Sequence, residues 1–446
     1  MRGELGVDLD VSVAYKIGRA LAQHFSADVV IVGRDARESS PELAQSVISG
    51  ITDFGADVLD LGLSGTEEMY WAVTSFGACA GVEITASHNP ISYNGMKIVK
   101  RGAFPLETVA DFDEIKRLSK LNNFETSSKK GTVLNVSFKA RDNYVKKVLS
   151  FIDVGKLSNL KIVVNCGNGA AGPTFDAIAN ELSRVNSAIE FVRMHHEPDH
   201  SFPNGIPNPL LVQNQLPTQE MILKHKADFG IAFDGDFDRC FFFDENGLFV
   251  SGEYLVGFLA SYFLENSPNE NIVHDPRVVW NIQDTIKKKG GSSIVSKTGH
   301  AFIKQKMRDT EAIYGGELSA HHYFKDFSYC DSGMIPWLLV AKVISDSGES
   351  LGNIIKRQKA KFPSSGEINL KVNNSDKVFQ ILMEKYSEKY IKCCKLDGLS
   401  LEFEDWRFNL RKSNTEPLVR LNVEAKNNKL LVDTKLKEII SIIKAI

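Results

Sequence analysis

Cysteine is sparse in this chain: Cys79, Cys166, Cys240, Cys330, Cys393 and Cys394 are scattered over 446 residues, and no Cys-x-x-Cys pair occurs. That scatter argues against a disulfide framework and predicts a reduced, cytoplasmic compartment. An excess of either charge is also missing, since 53 Lys and Arg stand against 56 Asp and Glu, for a formal net charge of -3. Without an overall basic field, nucleic acid is not expected as a partner. Long apolar runs are absent too. The start, Met1 to Asp8, lacks the apolar core of a signal peptide, and the longest greasy stretch, Trp337 to Ile344, is cut by Lys342. No membrane segment is expected. What remains is ordinary for a soluble globular protein, 43% hydrophobic and 24% charged, and long enough for three or four domains.

Four short segments carry chemistry. In Thr85-Ala86-Ser87-His88-Asn89-Pro90, a serine follows the strand-like Gly81 to Ile84, and Pro90 stops the run, which leaves Ser87 on a loop. Its hydroxyl is a candidate for covalent chemistry, and the turn at Asn94-Gly95 can bring Lys97 back to it. Most serines in such loops only bond backbone, so this segment alone decides nothing. Asp234-Gly235-Asp236-Phe237-Asp238-Arg239 sets three acids at alternate positions after the apolar run Phe229 to Phe233. Alternate side chains share a face, and three acids repel unless a cation lies between them. An EF-hand needs glycine at the sixth position, which is Arg239 here, so Mg²⁺ is expected instead. In Gly315 to His322, Glu317, Ser319 and His321 are expected to alternate on one side and to bond vicinal hydroxyls. Adjacent His321 and His322 make a poor zinc site. Arg411-Lys412-Ser413-Asn414-Thr415-Glu416-Pro417 offers a forked cation, hydroxyls and turn donors, the groups that a phosphate dianion requires.

A strand-helix-strand pattern recurs three times. The strands Val29 to Val32, Ile162 to Val164 and Ile272 to Asp275 each lead through a turn to an amphipathic helix and a second strand. In the first unit Ser40 is expected as the helix cap with Pro41 at the first position. The glycine-rich Gly167 to Gly172 lacks an acidic ribose partner, so a nucleotide cofactor is not expected. The last segment departs from that pattern, with strand Ile368 to Val372, helix Asp376 to Tyr390, strand Leu399 to Phe403, a hairpin through Ser413-Asn414, and helix Leu430 to Ile443. The expected fold class is α/β, with three similar α/β domains of mixed, mostly parallel sheets plus a C-terminal α+β domain. Boundaries near Arg141, Asn246 and Phe362 divide the chain into 1–141, 142–246, 247–362 and 363–446.

The four segments in this order resemble the α-D-phosphohexomutases, in which four domains each give one loop to a central cleft. Further stretches, among them Ser64 to Glu68, Asn165 to Gly172, Phe202 to Pro209 and Ser296-Lys297-Thr298-Gly299-His300, are similar to the bacterial phosphomannomutases that feed GDP-mannose and surface polysaccharide synthesis. The resemblance covers nearly the whole chain. It implies Mg²⁺-dependent interconversion of mannose 6-phosphate and mannose 1-phosphate through a phosphoserine at Ser87, with a hexose 1,6-bisphosphate as intermediate and activator. Ser87, Asp234, Asp236 and Asp238 would hold the metal. Ser87, His88, Lys97, Arg239, His300 and Arg2 would form the catalytic set, with the proton acceptor open between His300 and Lys97. Arg277, Lys297, Glu317, Ser319, His321, Arg411, Ser413, Asn414, Thr415 and Arg420 would bind substrate. The third domain's charged residue is often lysine in the family; here Arg277 binds charge but cannot shuttle a proton. A monomer or homodimer is expected.

Rival readings stay open on sequence alone: glucose instead of mannose or both, and a silent sugar-phosphate binder. A serine hydrolase is disfavoured because Ser87 and His88, as neighbours in an extended segment, would point apart and no Gly-x-Ser-x-Gly elbow surrounds them. The family normally opens with an apolar stretch ahead of Asp-Ile-Arg-Gly, whereas this sequence opens at Met1-Arg2-Gly3. Arg2 is therefore expected on a frayed terminus beside an exposed strand edge.

Overall fold

The computed structural model describes residues 1–125, 127–185, 188–413 and 418–445. They form two compact units, the first of residues 1–249 with 321–348, the second of 250–320 with 349–446.

Unit 1 contains two sheets. The first runs in the order Arg2–Glu4, Tyr93–Lys100, Ala80–Ile84, Val29–Arg34, Asp57–Leu63, Val133–Asn135. Val29–Arg34 is parallel to both of its neighbours, while Tyr93–Lys100 runs antiparallel to Ala80–Ile84 and to Arg2–Glu4. The run of β-branched residues at Val30, Ile31 and Val32 is fully buried, as expected for a strand covered on both faces. Helix Ser40–Phe54 lays Leu43, Val47 and Ile51 into the same core and stops at Gly55, whose φ of 108° suits only glycine. Ser40 is not its cap. Ser39 holds that position, and Ser40 is the first helical residue, its Oγ donating to Asp35 Oδ1 at 2.6 Å.

The second sheet sets Glu190–Met194, Lys161–Asn165 and Phe229–Phe233 in parallel, with Cys240–Phe243 antiparallel to the last. Phe233 pairs with Cys240, so the acidic segment 234–239 is the loop of a hairpin. The return segment of unit 1 adds an antiparallel strand pair, His322–Phe324 with Cys330–Asp331, and the apolar helix Met334–Ser347.

In unit 2, Asn271–His274 lies parallel to Ser292–Val295 and Tyr314–Gly316. The C-terminal sheet is wholly antiparallel, in the order Ile368–Lys371, Leu418–Ala425, Trp406–Lys412, Leu399–Glu402, Lys392–Cys394. Helices Ser375–Lys385 and Lys429–Lys444 supply Val378, Leu382, Val432, Ile439 and Ile443 to its core. The first of these ends five residues before the expected Tyr390. Mixed α/β sheets and a C-terminal α+β sheet match the expected fold class. Among the described residues, no helix is long and apolar enough to cross a membrane.

Candidate active site

Strand Ala80–Ile84 delivers the chain to Ser87, where the backbone turns sharply: Ser87 has φ 52°, and its N–H donates to Thr85 Oγ1 at 2.8 Å. A left-handed serine is a strained conformation that surrounding contacts must hold. Arg37 does so. Its buried guanidinium donates to four carbonyls of the loop, Ser87 O at 3.0 Å, Asn89 O at 2.6 Å, Pro90 O at 2.9 Å and Tyr93 O at 3.0 Å.

The same turn overturns one sequence expectation. Ser87 and His88 do not point apart, because a left-handed residue breaks the alternation of an extended chain, and His88 Nδ1 comes to 3.1 Å from Ser87 Oγ. Burial, reinforced by the Arg239 guanidinium, pushes the His88 imidazole down to about 3, so the ring is neutral at pH 7. Ser87 Oγ donates to Asp234 Oδ2 at 2.8 Å. Arg239 closes the group: Nε and Nη2 bond the same Asp234 oxygen at 2.9 and 2.6 Å, and Nη2 reaches Ser87 Oγ at 3.4 Å.

Asp234, Asp236 and Asp238 converge, with carboxylate oxygens within 4.8 Å of one another. They do so on a hairpin loop that turns through Phe237 at φ 44°, not on an extended strand. Gly235 makes room for the meeting of the two loops, since a Cβ there would lie 2.5 Å from Ser87 O. Thr66 Oγ1 donates to Asp236 Oδ2 at 2.6 Å. Lys97 turns to the acids and not to Ser87: Nζ bonds Asp236 Oδ2 at 2.6 Å and Asp238 Oδ2. Burial works against the Lys97 charge, but Asp236 and Asp238 outweigh it and hold the ammonium above its ordinary range. On Asp238, burial and then Asp236 prevail over Lys97 and push the carboxyl up to about 6. Each of the three aspartates keeps a buried Oδ1 with no hydrogen-bond partner among the described residues. Three convergent carboxylates, each with an unpartnered oxygen among the described residues, fit a small hard cation such as Mg²⁺, which takes oxygen ligands.

Arg2 is not frayed. It pairs with Gly95 in a three-residue strand, its Nη1 donates to Asn89 Oδ1 at 2.6 Å, and the Met1 ammonium donates to Met96 O at 2.7 Å. His321 also belongs to unit 1, where Nδ1 meets Asp331 Oδ2 at 2.9 Å, and both lie close to Asp238. The expected alternating row of Glu317, Ser319 and His321 does not form, because the chain turns at Leu318-Ser319 and passes through Ala320 at φ 68°.

In unit 2, Glu317 and Ser319 stay together, Ser319 Oγ donating to Glu317 Oε2 at 3.4 Å. Gly299 N–H donates to that same oxygen at 3.1 Å and opens the helix His300–Asp309, which places His300 at the helix start. Lys297 extends over the Phe302 ring at 5.7 Å. Arg277 is buried against Asp275 at 2.7 Å, and Asp275 Oδ2 also accepts from Leu318 N–H at 2.8 Å. Arg277, Arg411 and Arg420 meet at one carboxylate, Glu367, over 3.4, 3.0 and 3.2 Å. Ser413 N–H closes its hairpin on Leu418 O at 3.0 Å. Asn414 and Thr415 lie outside the described residues.

Sequence reasoning misses five residues central to this geometry: Arg37, Thr66, Asp275, Asp331 and Glu367. Asp275 and Arg37 carry a signal, since both follow buried strands ending at a turn. Glu367 carries none.

Models of the phosphoglucomutase/phosphomannomutase family match the chain in series: alpha/beta/alpha domain I over residues 1–124, domain II over 142–247, domain III over 251–362 and the C-terminal domain over 367–439. The chain therefore belongs to the phosphoglucomutase/phosphomannomutase family, a group of phosphohexomutase enzymes. It is 47% identical over 445 residues to a phosphomannomutase of Salmonella montevideo and 46% identical to one of Escherichia coli K12, covering 99% of this chain and 97% of each relative. A solved phosphoglucomutase/phosphomannomutase family protein of Burkholderia thailandensis superposes with TM-score 0.86 at 29% identity, over 100% of this chain and 96% of that one.

Proposed function

We propose that the chain is a Mg²⁺-dependent phosphomannomutase that interconverts mannose 6-phosphate and mannose 1-phosphate through a phosphorylated Ser87 and a 1,6-bisphosphate, feeding GDP-mannose synthesis in the cytoplasm. The observation that carries the reading is the Ser87 hydroxyl bonded to one of three buried carboxylates, each with an orphaned oxygen. Binding alone needs none of that set.

Asp234, Asp236, Asp238 and an oxygen of phosphorylated Ser87 would hold Mg²⁺, which would supply Lewis-acid polarisation of the phosphoryl group. Arg239, already on Ser87 Oγ, neutralises charge on the equatorial oxygens as the P–Oγ bond breaks and the bond to the sugar O1 forms. The sugar hydroxyl loses a proton in that step. Lys97 and the imidazole of His300 are the two candidate acceptors. His88 is uncharged and hydrogen-bonds the serine, fixing its rotamer. The guanidiniums of Arg277, Arg411 and Arg420, with Ser413, Asn414 and Thr415, take the phosphate that is not reacting, and Glu317, Ser319, His321 and Lys297 bind the sugar and its substituents. Domain boundaries at Arg141, Asn246 and Phe362 assign one of these loops to each segment.

The test combines mass and rate. Intact mass before and after phosphatase treatment should show one covalent phosphate that Ser87→Ala lacks, and exhaustive chelation should stop turnover of mannose 1-phosphate. Initial rates on mannose 1-phosphate should exceed those on glucose 1-phosphate. Full turnover by Ser87→Ala overturns the mechanism, and a preference for glucose overturns the substrate.

A further inference from the structure

Glu367 stands in unit 2 where an external anion would stand. Its Oε2 accepts from Arg411 Nη2 at 3.0 Å and from Arg277 Nη1 at 3.4 Å, and its Oε1 accepts from Arg420 Nη1 at 3.2 Å. Burial pushes its carboxyl up, but Arg277, Arg411 and Arg420 together outweigh that and hold it below the ordinary value, so it is ionised. The local set is then balanced, three guanidiniums against Asp275, Glu317 and Glu367. A phosphate dianion entering a balanced set meets a carboxylate at hydrogen-bond range unless that carboxylate moves.

The surroundings permit such a move. Glu367 directly precedes Ile368–Lys371, an edge strand of its sheet, and follows Gly366 at φ 67°. Its side chain is 23% exposed, against 5% for Arg277, which gives the carboxylate a way to water. The guanidiniums also have spare capacity, because the Nε atoms of Arg277, Arg411 and Arg420 are buried with no hydrogen-bond partner among the described residues. A cluster built only to hold Glu367 would not leave three donors unused.

We propose that Glu367 is an internal counter-anion that the substrate phosphate displaces from Arg411 and Arg420, and that its return weakens phosphate binding enough for the bisphosphate to leave this subsite and turn over. The inference rests on the reading of the guanidinium cluster as the subsite of the non-reacting phosphate. A reaction in which both ends of one intermediate must use the same subsite in turn is slowed by tight capture. A resident competitor offsets the attraction of three guanidiniums without removing any of them.

Calorimetric titration of mannose 6-phosphate into the full chain carrying Ser87→Ala, so that no turnover intervenes, tests this. Adding Glu367→Gln should tighten binding about fivefold or more, since removing a like charge at contact range relieves its repulsion. In the background with Ser87 intact, Glu367→Gln should lower KM and kcat together as release slows. Unchanged or weaker binding in Glu367→Gln overturns the inference and makes Glu367 a prop for the arginines. Arg411→Ala, in parallel, tests the subsite itself: if it leaves binding intact, the subsite reading falls, and if it weakens binding while Glu367→Gln fails to tighten it, only the counter-anion falls. Should Glu367→Gln not fold, a crystal structure of the wild-type chain with mannose 6-phosphate decides. Glu367 beyond hydrogen-bond distance of Arg411 and Arg420 upholds the displacement; Glu367 still bonded to both overturns it.

Discussion

Arg37 touches no reacting atom, yet its replacement by lysine should cost both stability and turnover. The arginine spans four carbonyls, of Ser87, Asn89, Pro90 and Tyr93, from a site only 2% exposed. Lysine keeps the charge but offers its donors from a single point, and it cannot reach carbonyls spread over that loop. At least two of them should be left buried and unpaired, at about 1–3 kcal/mol each, so a loss of about 2–4 kcal/mol is expected after partial relaxation. For a domain of this size that corresponds to a fall in Tm of roughly 5–15 °C. Activity should fall further than stability alone explains. The clamp holds Ser87 at φ 52°, a conformation that costs on the order of 1–3 kcal/mol to maintain, and a relaxed loop carries Oγ away from Asp234. Displacement of a nucleophile by about 1 Å lowers kcat on the order of a hundredfold. Calorimetry and initial rates on mannose 1-phosphate measure both. An Arg37→Lys protein with unchanged Tm and full turnover refutes the clamp and hands the loop's geometry to its other contacts.

Two further perturbations separate parts of the molecule. Arg411→Ala should chiefly raise KM by the loss of a charged hydrogen bond, about 1.5–3 kcal/mol, whereas Asp236→Asn should chiefly lower kcat by disturbing the metal site. Equal and small effects on both constants in steady-state assays contradict that division. His322 sets an acid limit on stability, because burial, with His321 adding, pushes its imidazole down to about 3 from an ordinary 6.5. The folded value lies below the unfolded one, so its contribution is complete above pH 6.5 and is lost as pH falls toward 3, at about 1.4 kcal/mol per pH unit. Urea midpoints at pH 7 and pH 5 should differ less for His322→Gln than for the wild-type chain; identical shifts remove His322 as the cause.

Legibility follows the distance over which each feature is determined. Strands such as Val29–Arg34 and Phe229–Phe233 are readable because a run of apolar residues between turn signals is a local property, and Asp234, Asp236 and Asp238 are readable because their repulsion is. The helix start at Ser40 is misplaced by sequence because Asp35, five residues back, captures the hydroxyl that would have capped it. The row of Glu317, Ser319 and His321 fails because alternation presumes an extended chain, and Ala320 leaves that region. His88 fails for the same reason, one residue after a left-handed serine. Arg37 and Glu367 are beyond reach in a different way. Each acts on groups more than forty residues away for its main contacts, Arg37 on carbonyls from Ser87 onward and Glu367 on Arg277, Arg411 and Arg420, and only the folded sheets bring these together.

The two charged clusters share one physical design, although each belongs to its own unit. In unit 1, Lys97 stands on the convergent aspartates that fit a cation. In unit 2, Glu367 stands on the convergent guanidiniums that fit an anion. A buried set of like charges without a partner would be strongly destabilising, and an internal partner of opposite sign removes much of that cost before any ligand arrives. Where the ligand displaces that partner, as proposed for Glu367, binding becomes an exchange of one counter-charge for another, and its net free energy is a difference between two large attractions instead of the whole of either. The consequence is kinetic as well as thermodynamic. A ligand that leaves is replaced by a tethered side chain and not by bare repulsion, so a site with several charges can hold a phosphorylated sugar selectively and still release it within a catalytic cycle.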